Sequence, residues 1–244
     1  YAANSPFPAS HGLDESQMAI ALARLGYSAD RFTPADNRPL FRAMLVACLE
    51  SQLPVVLTIV RTRASPTGFV TEGHAVTVTG FSAHAGIAEV PAPVQGMPPV
   101  KMRSSGVEVV YVHDDNLGSH AHYEVFDVDD VGSDCNKLLK LRRGRSDRAP
   151  PAWWHVDEWT VLSALVPKPE KLRLPIESLF SNLRWVTQLL CDVLFPGLDL
   201  NFSARFCSGV DYKRMVRSWG LDRESMRGFQ EQLMLPRFIG VLSE

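Results

Sequence analysis

Apolar residues near the start of the chain recur at helical spacing and predict two helices. The first spans residues 14–26 and the second spans residues 40–53, each with its apolar side chains along one stripe. Asp14 is a suitable N-cap for the first helix. Pro54 ends the second helix, because proline cannot continue a helix.

Four further apolar runs predict the strands of a sheet. Residues 55–60 form a continuous β-branched run, which is typical of a buried strand. Residues 74–81 alternate between two faces, as a half-buried strand does. Residues 107–113 and 123–128 are separated by turn residues and therefore predict a hairpin.

Polar or proline-rich segments separate these runs and predict loops at 61–73, 85–105 and 129–151. The prolines of the middle segment argue against regular structure there. The last segment contains a basic cluster at 142–145, which we interpret as part of a solvated linker rather than a binding patch.

The pattern changes after residue 150, where we place a domain boundary. The elements predicted beyond it are a strand at 160–166, helices at 175–195, 211–219 and 222–233, and a strand at 238–242. Tryptophans 153, 154, 159 and 185 are interpreted as packing between the two parts. The fold class is therefore α+β: residues 1–150 place helices on an antiparallel sheet, and residues 151–244 form an α/β appendage of unassigned role.

Composition narrows the class of protein. Hydrophobic residues make up 45% of the 244 residues and the net charge is -2, which is ordinary for a globular domain and gives no sign of nucleic-acid binding. No apolar run is long enough to span a bilayer. The cysteines at 48, 135, 191 and 207 are scattered without a CxxC pair, which disfavours a zinc ribbon and favours a reducing, cytoplasmic location.

The candidate chemistry lies at two predicted strand ends. His74 opens the strand at 74–81, and the strand at 107–113 is followed by Asp114, Asp115 and Asn116. If these strands are antiparallel neighbours, an imidazole and a carboxylate meet at one edge of the sheet. Such a pair is the base and orienting group of nucleophilic catalysis.

These segments carry a resemblance to a known family. The sequences GHAVTVTGF at 73–81 and VHDDNLG at 112–118 resemble the histidine and aspartate region of papain-like cysteine peptidases, in the branch that processes bacteriocins with double-glycine leaders. The resemblance covers roughly residues 13–128. It implies a papain-like fold, with His74 as the base and Asp114 as the group that orients it. Asp115 stands where the family often has proline, so Asp115 and Asn116 stay alternatives for that role.

The family's cysteine nucleophile is not found among the matched segments. In the family it begins a helix that comes ahead of them, whereas Cys48 lies within an apolar helical pattern, where a thiol is inert. The chain begins at Tyr1 rather than Met, so we expect a fragment whose nucleophile lies upstream and which is inactive as given. The resemblance implies acyl transfer on a peptide or protein substrate, without metal or organic cofactor.

Two rival functions stay open at this point. A papain-like scaffold without a nucleophile is a non-catalytic binding module. His113, His120 and His122 flank a turn beside two aspartates, a residue set that also suits a metal-dependent hydrolase. Strand alternation speaks against this metal site, because it sends His113 and Asp114 to opposite faces.

Overall fold

The computed structural model describes residues 13–34, 38–65, 68–83, 88–90, 100–102, 107–129, 137–143, 158–169, 176–194, 203–208, 210, 212, 214–215 and 238–243. Their helices and strands are α1 (Glu15–Arg24), β1 (Tyr27–Phe32), α2 (Arg38–Glu50), β2 (Val55–Ser65), β3 (Gly68–Ala83), β4 (Ala88–Val90), β5 (Val100–Met102), β6 (Val107–Asp114), β7 (Gly118–Asp129), β8 (Lys137–Arg143), β9 (Glu158–Pro169), α3 (Ile176–Leu189) with a π-helical turn (Leu190–Leu194), β10 (Ser203–Ser208) and β11 (Phe238–Ser243). The fold is a mixture of helices and antiparallel sheet in which strands predominate.

Six of the strands form an antiparallel barrel. The strand order is β1-β9-β2-β3-β6-β7-β8, and β8 also pairs with β9. The first residues of β9 lie between β8 and β2, which closes the ring, and its later residues pair with β1 as well as β2. A barrel has no free edge over the paired segments, so its backbone groups are satisfied within the ring.

Buried apolar side chains from the barrel and from α2 form one core. Alternate residues of β2 point inward, and Val55, Leu57 and Ile59 are at most 1% exposed. The helix α2 buries a continuous run from Ala43 to Cys48 and packs against β2, β3 and β10. The expected burial of Cys48 is therefore confirmed.

Both early helices begin or end close to where the sequence places them. Asp14 caps α1, and its carboxylate accepts from the Gln17 backbone while the Gln17 side chain accepts from the Asp14 backbone. Gly26 follows the helix with a φ of 82°, a left-handed conformation that glycine adopts without strain. No described helix is long and apolar enough to cross a membrane.

Three of the predicted loops contain strands. The prediction of a loop over 61–73 is wrong, because β2 and β3 continue as a paired ribbon from Val60↔Gly73 to Ser65↔Gly68. The short strands β4 and β5 pair within the segment expected to be irregular, and β8 lies within the predicted polar loop. Arg142 of the basic cluster donates to Glu158 at 2.8 Å, which ties β8 to β9.

One strand from beyond the domain boundary placed at residue 150 pairs with the first part of the chain. The strand predicted at 160–166 is part of β9, whose hydrogen bonds to β2 and β8 complete the barrel formed by the first part of the chain. Such pairing is set by tertiary contacts that local spacing does not encode, and the division into two domains stays a prediction. The sheet therefore extends across the boundary we placed.

The C-terminal elements are described in part. The predicted helix at 175–195 is confirmed by α3 and its π-helical turn, and the predicted strand at 238–242 is confirmed by β11, which pairs with β10. The helices predicted at 211–219 and 222–233 lie almost wholly outside the described residues. Trp185, expected to pack between the parts, is 52% exposed.

Candidate active site

The register between β3 and β6 brings His74 and Asp114 to one face of the sheet. Thr77 pairs with His113, so the next residue of β6, Asp114, lies beside Val76. Val76 and His74 are two residues apart on β3 and share a face. His74 lies within β3 rather than at its start. Its ring faces a cleft because the neighbouring strand, β6, ends at Asp114.

The two side chains are in direct contact. His74 Nε2 lies 3.0 Å from Asp114 Oδ1, and the side chains are 15% and 3% exposed respectively. Because an ionised carboxylate only accepts hydrogen bonds, this contact selects the neutral tautomer with its proton on Nε2. The expected proximity of base and carboxylate is present, and the catalytic role of the pair stays a prediction.

Two further donors fix the Asp114 carboxylate. Its Oδ1 accepts from the backbone N–H of Asn116 at 2.9 Å, and its Oδ2 accepts from the Tyr123 hydroxyl at 2.9 Å. Burial alone would raise the pKa of Asp114, but these donors and His74 outweigh it and hold the pKa below its ordinary value. Asp114 is therefore an anion at neutral pH.

The other two candidates for orienting His74 have different places. Asp115 Oδ1 lies 3.4 Å from the same Nε2, but its side chain is 83% exposed. Asn116 contributes its backbone N–H to Asp114. Asp114 is thus the buried and hydrogen-bonded partner of the ring, and Asp115 is an exposed second carboxylate.

A cleft of about 360 Å³ opens beside His74. Its described lining consists of Arg61, Glu72, Gly73, His74, Asp114, Asn116, Leu117, Tyr123 and Trp159. Five of these residues, Arg61, Glu72, His74, Asp114 and Asn116, have charged or polar side chains, so the lining is largely polar. It contains no Cys, Ser or Thr among the described residues, so none of them supplies a nucleophile next to His74.

Trp159 forms one wall of this cleft. Its ring lies 5.7 Å from the His74 ring at an interplanar angle of 43°. The Arg61 guanidinium lies 4.5 Å from the Trp159 ring centroid and donates to Glu72 at 2.8 Å. From the sequence, Trp159 is interpreted as packing between the two parts of the chain, because the boundary at residue 150 separates it from His74.

Neither Cys48 nor Cys207 is among the described residues that line the cleft. Cys48 is fully buried, and burial, reinforced by the negative charge of Asp30, raises the pKa of its thiol. Cys207 is half-buried on β10 and is absent from the described lining of the cleft. Cys135 lies outside the described residues.

The side chains that could bind a metal ion differ from His113, His120 and His122, the set that the sequence offered as an alternative. His74 Nε2, Asp114 Oδ1 and Asp115 Oδ1 lie within 4.8 Å of one another, and a divalent cation can use such a set. In the described part of the chain, His113, His120 and His122 do not converge. The rings of His113 and His120 are 6.3 Å apart, and His122 packs edge-on against Tyr111, its partner across the β6–β7 pair.

Comparisons of the chain with protein-family models, curated proteins and solved structures find no match. The resemblance to papain-like peptidases therefore depends on the sequence segments alone.

Proposed function

We propose that this chain carries the base half of a cysteine-peptidase-like site that cleaves peptide or amide bonds by acyl transfer. The observation that carries the proposal is the contact of His74 Nε2 with the buried, anionic Asp114 in a cleft. An imidazole held by a carboxylate through one nitrogen presents the other nitrogen as a base. His74 Nδ1 has no hydrogen-bond partner among the described residues.

In this mechanism a thiol is supplied at Nδ1 from outside the described residues. His74 takes the thiol proton, and the thiolate attacks the substrate carbonyl to form a tetrahedral intermediate. When that intermediate collapses, the C–N bond breaks, His74 returns the proton to the leaving amine, and a thioester is left. His74 then takes a proton from water, which hydrolyses the thioester and restores the thiol.

The electrostatics of the site suit this sequence of steps. His74 becomes an imidazolium beside the thiolate, and the Asp114 anion stabilises that positive charge. Asp114 stays charged because the Asn116 and Tyr123 donors satisfy it. The polar walls formed by Arg61 and Glu72 offer hydrogen-bonding groups to an extended peptide.

One second candidate has a specific observation in its favour. The ligand atoms of His74, Asp114 and Asp115 are close enough to hold a divalent cation, which would make the same cleft a metal-dependent hydrolase site. The third candidate is a binding module, in which the cleft binds a ligand but catalyses no reaction. Metal analysis of the purified protein and the assay below separate these three.

The test is amide hydrolysis by the natural gene product, including any segment that precedes Tyr1, with His74→Ala and His113→Ala compared. His113 lies on the same strand as Asp114 but is exposed on the other face, so it is a matched control. The proposal predicts that His74→Ala abolishes hydrolysis, that His113→Ala retains it, and that a chelator has no effect. Activity that survives His74→Ala, or that is lost with the chelator, contradicts the proposal.

A further inference from the structure

We propose that Tyr123 is a positioning residue that assigns His74 to Asp114 rather than to Asp115. This inference deepens the proposed function, because it concerns how the base is held. Tyr123 lies on β7 opposite Val110 and is 2% exposed, so its ring is fixed in the barrel core. Its hydroxyl donates to Asp114 Oδ2 at 2.9 Å.

The two oxygens of Asp114 have unequal support. Oδ1 is shared by His74 Nε2 and the Asn116 backbone N–H, whereas Oδ2 has only the Tyr123 hydroxyl among the described residues. A buried carboxylate oxygen without a donor is strongly unfavourable. Without the hydroxyl, Asp114 must either rotate toward another donor or take up a proton. Each outcome weakens the contact between Oδ1 and Nε2.

A competing acceptor is already present at the ring. Asp115 Oδ1 lies 3.4 Å from His74 Nε2, only 0.4 Å farther than Asp114 Oδ1, and its carboxylate is free to move in solvent. An exposed side chain holds a ring less rigidly than a buried one, because it must lose rotamer freedom to do so. Tyr123 therefore determines whether a fixed or a mobile carboxylate orients the imidazole.

The experiment is ¹⁵N NMR of the neutral His74 ring in the protein, in Tyr123→Phe and in the control Tyr111→Phe. Tyr111 is on the neighbouring strand, and its hydroxyl has no hydrogen-bond partner in the described part of the chain. We expect the tautomer protonated on Nε2 to predominate in the protein and in Tyr111→Phe. In Tyr123→Phe, Asp115 becomes the acceptor at the same nitrogen, so we expect the Nε2 proton to exchange faster with solvent and the tautomer to depend on Asp115.

A double variant separates positioning from general loosening of the core. Asp115→Asn leaves the tautomer unchanged while Tyr123 is present, and it shifts the tautomer when combined with Tyr123→Phe. Additive effects of the two changes contradict the inference, as does an Nε2 proton that exchanges in Tyr123→Phe at the same rate as in Tyr111→Phe.

If Tyr123→Phe does not fold, the unmodified protein still gives a test. In the unmodified protein the Tyr123 hydroxyl proton, which is bonded to Asp114, should exchange slowly with solvent. Its NMR signal should disappear when acid protonates Asp114. A hydroxyl proton that exchanges fast overturns the inference. Failure of this inference is distinct from failure of the proposed function. An Nε2 proton exchange rate that is unchanged in Tyr123→Phe refutes the role of Tyr123 alone, whereas hydrolysis that survives His74→Ala refutes the peptidase.

Discussion

Asp114 at the mouth of the barrel and Cys48 within α2 are both buried titratable groups, yet their surroundings give them opposite character. Asp114 is 3% exposed and accepts hydrogen bonds from two groups besides His74, so it is held as an anion. Cys48 is also buried, but it lies in the apolar core and has the negative Asp30 nearby, so it is held as a neutral thiol.

The difference teaches that burial by itself does not mark a functional residue. Desolvation opposes the charged form of both groups. What separates them is whether directed donors meet the charge, and donors are placed at the barrel mouth by the turn after β6 and by β7. The predictions below change those donors or the burial, beginning with the largest expected effect.

Replacing Asp114 should destabilise the protein most. Asp114→Ala leaves the Tyr123 hydroxyl and the Asn116 N–H without their acceptor, and we expect a loss of about 3 kcal/mol in the free energy of unfolding. The measurement is urea denaturation at pH 7, with the exposed neighbour as control. Asp115→Ala should change the free energy by less than about 0.5 kcal/mol, and equal effects at the two positions would show that the buried network does not exist.

Replacing Cys48 tests whether its surroundings in α2 and the core are apolar. Cys48→Ser places a hydroxyl in apolar surroundings, and we expect it to cost about 2 kcal/mol of unfolding free energy. Cys48→Ala should cost less, because it removes the thiol without adding a polar group. In the native protein a thiol reagent should label Cys48 only as fast as the protein unfolds, and rapid labelling would show that the thiol is accessible.

The pH dependence of stability should report the lowered pKa of Asp114. The folded protein binds this proton less readily than the unfolded chain, whose Asp has the ordinary value of 3.8. The stabilisation is therefore complete above that value and is lost as the pH falls through the lower folded-state pKa. As the pH falls below that ordinary value, the unfolding free energy of the protein should fall more steeply than that of Asp114→Asn, and parallel curves would contradict the assignment.

The sequence predicts those features of the fold that are determined by residues close together along the chain. The start of α1 follows from the side chains of Asp14 and Gln17. Pro54 sets an outer limit for α2, which ends earlier, at Glu50. The strands β6 and β11 are recognisable because apolar residues dominate them. By contrast, β1 was not predicted, because its sequence YSADRF is mostly half-buried and lacks an apolar alternation.

The candidate site was predictable only along its two strands. His74 and Asp114 belong to adjacent strands that the sequence indicates, although β3 begins at Gly68 rather than at His74. Their meeting therefore follows from one assumed pairing. Trp159 reaches the cleft through the pairing of β9 with β2, and Tyr123 reaches Asp114 through the register of β7. These contacts depend on strand order and register, which local patterns do not determine.

The central claim is that His74, held by Asp114, is the base for a thiol. The most direct measurement is the alkylation rate of the catalytic thiol as a function of pH in the natural gene product and in His74→Ala. A thiol paired with a histidine is deprotonated at pH values well below the ordinary cysteine pKa of about 8.5. The account predicts that alkylation stays fast at acidic pH in the unmodified protein. In His74→Ala, the midpoint of the alkylation rate against pH should shift to the ordinary cysteine pKa. Identical profiles in the two proteins, or a gene product with no thiol that alkylates in this way, would contradict it.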